Sequence, residues 1–265
     1  MIPTVTSAPS VQKPKHSLLD AANVITDSSN RWENGVTFNP THCQAGHALA
    51  QGCPSPISPA GLECTAAVRF DPFIVEIALN WSMQDLAGEP ADLARDSLET
   101  ATSRLIEAVL WTGETLDPVT PTDPAVTPDN IHPLTGIAAA PSELAGDALG
   151  QAIGFLADAS QHSGGLGIVH MNSVIANQLD EKLVLDADGT LYTKSGMHRV
   201  VVGNYHTDVI VAHVGELDVY LSEVEIVEGY DRAQNEALIL AQRHALVAYN
   251  TCAAYAIGVD TGLGS

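Results

Sequence analysis

Residues 198–249 read HRVVVGNYHTDVIVAHVGELDVYLSEVEIVEGYDRAQNEALILAQRHALVAY, and this stretch decides the fold class. A Val-rich run ends in Gly203-Asn204-Tyr205 and is followed by an apolar run at 208–212. An alternating segment at 217–221 and a long mixed run at 236–249 complete the stretch. Runs of β-branched residues bounded by Gly, Asn and Asp are typical of strands separated by turns. We predict, in order, a strand, a tight turn, a short apolar segment, an acidic strand, a loop and a long strand.

The clearest helix is predicted over residues 90–111. Pro90 suits a first helical turn and Gly113 a helix end. An apolar stripe at steps of three and four is expected to face the core, with Arg95, Glu99 and Thr102 facing elsewhere. The stripe consists of Ala94, Leu98, Ala101, Leu105, Ala108 and Val109.

The remaining segments are shorter or less decided. A second helix is predicted over 141–161, a proline-rich loop over 114–135 and a buried strand over 168–172. A helical turn over 173–179, capped by Asn172 or Ser173, and a turn at 186–189 should follow. The apolar segment 73–83 fits either a strand or a buried helix. Helices and strands alternate unevenly, which favours the α+β class.

Composition limits the possible functions. The chain is 45% hydrophobic and can therefore bury a core. Its formal charge is −21, and its Lys and Arg form no cluster, which argues against nucleic-acid binding. The charge fits simple solubility, or a wall that repels packaged DNA. No signal peptide and no membrane-spanning run are evident. Residues 1–30 are polar, and Gly and Pro throughout 31–70 exclude long helices.

The order of these parts resembles that of tailed-phage major capsid proteins of the Hong Kong 97 type. In that family a long spine helix is followed by a Gly-rich stretch and a Pro-x-Gly-Ile-like turn, similar to 108–113 and 133–137 here. Residues 167–173 look like the family's strand that ends at Asn before a helix. Gly203-Asn204-Tyr205 stands where the family often has Gly-Asp-Phe, and 235–249 resembles its returning strand.

The resemblance implies an α+β capsid fold with five segments. These are an N-terminal arm over 1–31, an extended loop (the E-loop) over 32–85, a peripheral (P) domain with spine helix and following loop over 86–135, an axial (A) domain over 136–215, and the P-domain return strand with the C-terminus over 216–265. Arg69, Phe70, Phe73 and Trp81 fall where the loop meets the body, either as contact residues or as ordinary core and surface residues.

The function implied is that of a major capsid protein that self-assembles into the icosahedral head shell enclosing phage DNA. Its partners would be copies of itself in hexamers, pentamers or both, a portal, and a decoration protein in some shells. Its location would be the virion, with assembly in the host cytoplasm. An encapsulin-type compartment, a minor virion component and an α+β enzyme with an unrecognised site remain alternatives.

Two departures from the family pattern are informative. Some relatives form an isopeptide bond from an E-loop Lys, but no Lys lies between Trp32 and Leu86. Self-crosslinking is therefore not expected. Some relatives also carry a helical scaffolding domain before the shell domain. Thirty polar residues are too few for one, which indicates a separate scaffolding protein.

No catalytic, cofactor-binding or metal-binding residue is assigned from the sequence. Cys43, His47, Cys53 and Cys64 lack a paired Cys-x2-Cys spacing, so zinc, a disulfide and free thiols all stay open. The motif at 186–189 resembles the start of a calcium loop, but Met197 stands where the twelfth-position Glu belongs, so a turn is predicted. His170, on an apolar strand, is expected to be a core residue.

Overall fold

The computed structural model describes residues 15–26, 31–38, 67–82, 90–113, 133–134, 137, 139–140, 151, 153–154, 157–158, 166–195, 198–203, 209–231, 236–250 and 254–258. Within these ranges no helix combines the length and the hydropathy needed to cross a membrane. Every structural statement below concerns this part of the chain.

The elements follow one another from a short N-terminal helix to a closing strand. The helices are α1 (Leu18–Ala21), α2 (Pro90–Thr112) and α3 (Ser173–Gln178), with 3-10 turns at Arg31–Asn34 and Asp180–Lys182. The strands are β1 (Asn23–Ile25), β2 (Val36–Phe38), β3 (Val68–Phe70), β4 (Phe73–Ser82), β5 (Ala139–Ala140), β6 (Gly167–Asn172), β7 (Leu183–Leu185), β8 (Leu191–Thr193), β9 (Arg199–Gly203), β10 (Val209–Val214), β11 (Asp218–Leu221), β12 (Glu225–Asp231), β13 (Glu236–Ala248) and β14 (Ala254–Gly258).

The long strand β13 organises a five-stranded sheet in the described part of the chain. Strands β11 and β12 pair with different halves of one edge of β13, and β4 pairs antiparallel with its other edge over ten residues. Strand β1 adds to β11 in parallel. Helix α2 packs on one face of this sheet, where Val75, Ile239 and Ala241 are buried. The sheet and α2 together correspond to the predicted spine helix and returning strand.

A second, seven-stranded sheet has the order β5-β14-β10-β6-β9-β8-β7 among the described residues. One of its faces contributes Ile168, Val201 and Val211 to the main core, which it shares with α2 and β13. Its other face packs against α3 and a separate cluster that includes Met171 and Ile175. Both faces of the central strands are therefore buried, and this explains why β6 and β9 read as uninterrupted apolar runs.

Several predictions from the sequence are confirmed. The helix predicted over 90–111 spans Pro90–Thr112 and ends where Gly113 takes a φ of 76°. Asn172 caps α3, because its Oδ1 accepts a hydrogen bond from the Ile175 amide at 2.8 Å. The undecided segment 73–83 is a strand, since β13 supplies a ten-residue partner for Phe73–Ser82. The mixed α+β class also agrees, and β9, β10, β11 and β13 follow the predicted order after residue 198. The loop predicted before the long strand is wrong in part, because β12 (Glu225–Asp231) lies there and pairs with β13.

The inward face of α2 was predicted correctly only in part: Ala94, Leu98 and Val109 are buried as expected, but the rest of the buried face differs. Thr102, expected to face away from the core, is 1% exposed, and Ser103 and Glu107 are buried beside it. The Thr102 hydroxyl donates to the Leu98 carbonyl at 2.6 Å, which removes the penalty of burying it. Ala101 and Leu105, expected at the core, are only half-buried. The buried face of α2 therefore differs from the predicted apolar stripe, because polar side chains with local hydrogen-bond acceptors can occupy the core face of a helix.

Other predicted elements fall mainly outside the described residues. Of the helix predicted over 141–161, the described positions 151, 153–154 and 157–158 are helical. Most of the loop predicted over 114–135 lies outside the description. The predicted N-terminal arm is described only in part, and its residues 18–25 form α1 and β1 in the body of the subunit.

Candidate assembly surfaces

A small hairpin holds both ends of the segment 39–66. Strands β2 and β3 pair antiparallel, with Phe38 opposite Val68 and Val36 opposite Phe70. Phe70 is fully buried, and its ring stacks on Phe38 at 5.4 Å and meets Tyr249 edge-on at 5.9 Å. The residues that precede and follow this segment are thereby fixed side by side on the core.

A polar clamp reinforces the base of this hairpin. Gly35 has a φ of 91°, and a Cβ at that position would lie 2.7 Å from the Asp71 carboxylate. The Arg69 guanidinium donates to Asp71 at 2.6 Å and to the Asn34 carbonyl at 3.0 Å. Glycine is required at position 35 for two reasons. Its backbone is left-handed, and a Cβ there would collide with the Arg69 and Asp71 side chains.

The residues predicted at the junction of loop and body have different roles. Phe70 and Phe73 are buried and belong to the main core. Arg69 is exposed and bound within its own subunit. The Trp81 side chain lies outside the described residues. Phe70 and Phe73 are therefore core residues, which was one of the two interpretations offered by the sequence.

A sequence signal for the loop surface was missed. Residues 39–66 contain a single charged residue, Glu63, in a chain whose formal charge is −21. Like charges repel when identical subunits approach each other. A nearly uncharged segment adds little to the repulsion between two copies of this acidic chain.

A buried carboxylate on α2 binds the N-terminal segment. Glu107 Oε1 accepts from the Leu18 amide at 2.7 Å and from the Ser103 hydroxyl at 3.2 Å. Burial raises the pKa of Glu107, and the hydrogen bonds from Leu18 and Ser103 oppose that shift. The carboxylate satisfies a helix N-terminus that would otherwise be buried without an acceptor.

The same segment also contacts both sheets. The Asn23 amide donates to the Leu217 carbonyl at 2.8 Å beside the five-stranded sheet. The Val202 amide donates to the His16 carbonyl at 2.9 Å, and Arg199 donates to the Ala21 carbonyl at 3.1 Å, both from the seven-stranded sheet. Residues 16–25 are therefore a strap that joins the two sheets and α2.

Buried aromatic and imidazole rings form the contact between the two sheets. His170 and His213 lie on one face of the seven-stranded sheet, with ring centroids 5.3 Å apart, and the His213 ring is 5.2 Å from Tyr249 at the end of β13. Both histidines are 0% exposed. Burial lowers the pKa of His170 well below its usual value, with a smaller contribution from His213. The prediction that His170 is a core residue is confirmed.

A third buried histidine fixes the start of β6. The Gly167 amide donates to His198 Nδ1 at 3.0 Å, and the Thr193 hydroxyl accepts from the His198 amide at 3.2 Å. Burial lowers the pKa of His198. An Nδ1 that accepts an amide hydrogen carries no proton, so this ring is neutral in the fold.

The motif at 186–189 is a turn, as predicted. It connects β7 to β8, with Gly189 at a φ of 87° and its amide donating to the Asp186 carbonyl at 3.0 Å. Asp188 Oδ1 accepts from the Thr190 amide at 2.9 Å, which lowers the pKa of Asp188. Both carboxylates are occupied by backbone amides of the turn.

The candidate cysteine and histidine ligands cannot be located. Cys43, His47, Cys53 and Cys64 all lie outside the described residues, so zinc, a disulfide and free thiols stay open. Among the residues that the structure does describe, no group of three or more His, Cys, Asp or Glu side chains is placed to hold a metal ion.

Comparison with known proteins identifies the fold. No family model matches the chain, and no curated protein matches it. The capsid of an empty GTA particle superposes with a TM-score of 0.58 at 14% identity, covering 97% of this chain and 95% of the other. A structure from Mycobacterium phage Ogopogo gives 0.57 at 15% identity, covering 97% and 96%. One from Gordonia phage Cozz gives 0.56 at 12% identity, covering 98% and 92%. The predicted resemblance to the phage capsid fold is confirmed over almost the whole chain.

Proposed function

We propose that this chain is a structural virion protein, a major capsid protein that self-assembles into the icosahedral head shell enclosing phage DNA. The observation that carries the proposal is the match to a GTA capsid over 97% of this chain and 95% of that one. A match over both whole chains leaves little of this protein outside the shared fold. The proposal therefore concerns the entire subunit.

The segment 39–66 supplies a physical basis for assembly. It is 28 residues long, so as an extended hairpin it reaches roughly 45 Å from its base. Its near absence of charge lowers the repulsion between acidic copies. Docking of this loop onto a neighbouring body is the contact we propose as the E-loop function, within the region 32–85.

The proposed division into domains follows the two sheets in outline only, because β4 from 32–85 pairs in the five-stranded sheet and β14 from 216–265 pairs in the seven-stranded sheet. The five-stranded sheet with α2 would form the P domain, from residues 86–135 and 216–265, and the seven-stranded sheet most of the A domain over 136–215. The strap at 16–25 would connect them, and the arm would comprise the residues before it. Several modest contacts per subunit then add up, because a subunit held at several edges dissociates slowly.

Assembly of this subunit would be non-covalent at the loop, since no Lys lies between Trp32 and Leu86. We propose that copies form hexamers, pentamers or both, with help from a separate scaffolding protein and a portal. A decoration protein is a further possible partner of the outer surface. The shell would assemble in the host cytoplasm and remain in the virion, where acidic walls would not retain DNA during packaging.

The other interpretations have less support. The neighbours include a GTA capsid and phage structures with TM-scores of up to 0.58, and a virus-like particle from Pyrococcus furiosus with a TM-score of 0.51. The higher scores of the former favour a head shell over an encapsulin-type compartment, and all of these neighbours favour a shell over an α+β enzyme. Genes for a portal and a terminase beside this one would distinguish the phage head from a cellular compartment.

Negative-stain microscopy of the purified chain, combined with sedimentation velocity, tests the proposal. We expect rings, sheets or closed shells built from many copies. Uniform closed shells from this chain alone would argue against the separate scaffolding protein. A monodisperse monomer over a wide range of concentration and salt would refute the shell function itself.

A further inference from the structure

Asn34 is followed by Gly35, and this is the one Asn-Gly pair in the sequence. Asparagine is a chemically labile residue, and glycine after it removes the Cβ that would hinder approach to the next peptide nitrogen. That nitrogen can attack Cγ of the asparagine side chain. Asn34 is exposed to water and ends the 3-10 turn that leads into β2. A reactive pair therefore lies at the base of the β2–β3 hairpin.

Two hydrogen bonds restrain the peptide between Asn34 and Gly35. The Gly35 amide donates to the Trp32 carbonyl at 2.8 Å, and the Asn34 carbonyl accepts from the Arg69 guanidinium at 3.0 Å. Trp32 is 4% exposed and its ring lies 5.9 Å from that of Tyr220, so its carbonyl is held by the core. An amide hydrogen that is bonded in this way is harder to remove. Because the attack needs the deprotonated nitrogen, the turn as folded slows the reaction.

The clamp formed by Arg69 and Asp71 also covers the turn. The Arg69 guanidinium donates to Asp71 at 2.6 Å, and Arg69 lies opposite Thr37 in the hairpin. A Cβ on Gly35 would lie 2.7 Å from the Asp71 carboxylate and 3.1 Å from the Arg69 guanidinium. The Arg69 side chain is nevertheless 55% exposed. The clamp can therefore open locally while the core stays folded.

We propose that Asn34 is a site of spontaneous modification and that the clamp of Arg69 and Asp71 controls its rate. The Gly35 nitrogen loses its proton and forms a bond to Asn34 Cγ, the Cγ–Nδ2 bond breaks, and ammonia leaves with a proton. Water then opens the resulting succinimide ring at either of its two carbonyls. The products are aspartate and isoaspartate at position 34. Asparagine and water are the only reactants, so no oxidant or reductant is involved.

The isoaspartate product changes the base of the hairpin. Its main chain runs through Cβ and Cγ, which inserts a methylene group between Cα of residue 34 and the Gly35 nitrogen. The carbonyl that accepts from Arg69 becomes part of a carboxylate outside the main chain, close to Asp71. The lengthened turn no longer fits the clamp, so the modification loosens β2 against β3. This chemistry concerns the single subunit and holds whether or not copies assemble.

The rate of conversion is the first test. The full-length chain is incubated in mildly alkaline buffer, and peptide mass spectrometry follows replacement of the Asn34 amide by a carboxylate. The same chain unfolded in guanidinium chloride gives the intrinsic rate. We expect conversion in the folded chain to be slower by about tenfold or more, because only the open fraction reacts. Equal rates would overturn the protection by the fold, and conversion in the unfolded chain alone would overturn Asn34 as a site of the native subunit.

Arg69→Met tests the clamp. Conversion, divided by the rate of the same variant when unfolded, should accelerate by about threefold, the scale of an exposed ion pair. Loss of a positive charge beside the amide would by itself slow the reaction, so acceleration identifies the clamp. Arg95→Met is the matched control, because Arg95 forms an exposed ion pair with Asp92 on α2. It should leave conversion unchanged, and equal rates in the two variants would overturn the role of the clamp.

A second variant covers the case in which Arg69→Met does not fold, which thermal unfolding will show. Asp71→Asn keeps the guanidinium but removes the carboxylate that holds it at 2.6 Å. Conversion at Asn34 relative to the unfolded variant should again accelerate. An unchanged ratio in a folded Asp71→Asn chain would overturn control by the clamp.

Hydrogen exchange tests the consequence of the modification. The aged chain carries one more negative charge, so anion exchange separates it, and fragmentation by electron transfer identifies isoaspartate. Asn34→Asp is the matched control, since it adds the charge without lengthening the main chain. Exchange of residues 35–38 and 68–70 should accelerate in the isoaspartate form and not in Asn34→Asp. Equal exchange in all three chains, or equal acceleration in both modified chains, would contradict loosening by the inserted methylene group.

Discussion

His170 and His213 stack with their ring centroids 5.3 Å apart, and both are fully buried on the face of the seven-stranded sheet that meets the end of β13. Two imidazoles at this separation cannot both be charged in a site of low dielectric constant without a large free-energy penalty. The fold therefore requires the neutral form of His170. This requirement makes the contact between the two sheets sensitive to acid.

Acid should destabilise the subunit through His170. Its pKa in the fold is well below 6.5, and its pKa in the unfolded chain is about 6.5. Below that pH the unfolded state binds a proton that the folded state does not, so stability falls as pH falls. We expect His170→Phe to reduce the slope of unfolding free energy against pH, between pH 6.5 and 5, by up to about 1.4 kcal/mol per pH unit.

Denaturant unfolding of the unassembled subunit at several pH values measures this slope. Glu107 has the opposite effect on this slope, because its raised pKa stabilises the folded state as pH falls. Its contribution is the same in the wild-type chain and in His170→Phe, so it cancels in the comparison. Identical slopes for the wild-type chain and His170→Phe would count against this explanation.

Removing the Glu107 carboxylate should loosen the N-terminal strap. Glu107→Ala leaves the Leu18 amide without its acceptor, at an expected loss of about 1–3 kcal/mol of unfolding free energy. Glu107→Gln keeps an acceptor oxygen and should lose less than half of that. Hydrogen exchange of residues 15–26 should accelerate in the Ala variant. Asp96→Ala, which removes an exposed carboxylate from the same helix, should leave that exchange unchanged.

Gly113→Ala should be more damaging than a glycine replacement in an open turn. The residue has a φ of 76°, and an added Cβ would lie 3.1 Å from Pro133 Cγ. Gly189 has a φ of 87° with nothing within 4 Å of such a Cβ, so Gly189→Ala measures the backbone strain alone, roughly 1–2 kcal/mol. The additional loss in Gly113→Ala, read from thermal unfolding, reports the contact with Pro133. Equal losses would mean that the proline moves aside freely.

Moderate salt should promote assembly of this chain. The formal charge of −21 opposes the approach of copies, and raising ionic strength from about 0.01 to 0.1 M shortens the screening length from about 30 to 10 Å. Light scattering should show assembly starting at lower protein concentration in the higher salt. Assembly that weakens over this range would indicate that attractive ion pairs between subunits outweigh their general repulsion.

The sequence was sufficient where the signal is local. Gly113 ends α2 and Gly189 turns the β7–β8 hairpin because both take backbone angles that other residues adopt only with strain. Asn172 caps α3 through a hydrogen bond three residues along the chain. Strands β9, β10, β11 and β13 follow from β-branched runs and turn residues, whereas β12, in a segment predicted as a loop, was missed. The fold class and its resemblance to capsid proteins could be predicted from these signals in order.

Only the tertiary structure decided which distant groups meet. The periodicity of 73–83 fits a strand or a buried helix, and the ten-residue pairing with β13 decides for a strand. Thr102 faces the core, against the pattern of the helix, and Glu107 reaches an amide 89 residues away. His170 and His213 stack because β6 and β10 pair in one register. Local conformation is set by each residue's own backbone and nearest neighbours, whereas register, helix rotation and burial of polar groups depend on the free energy of the whole packed core.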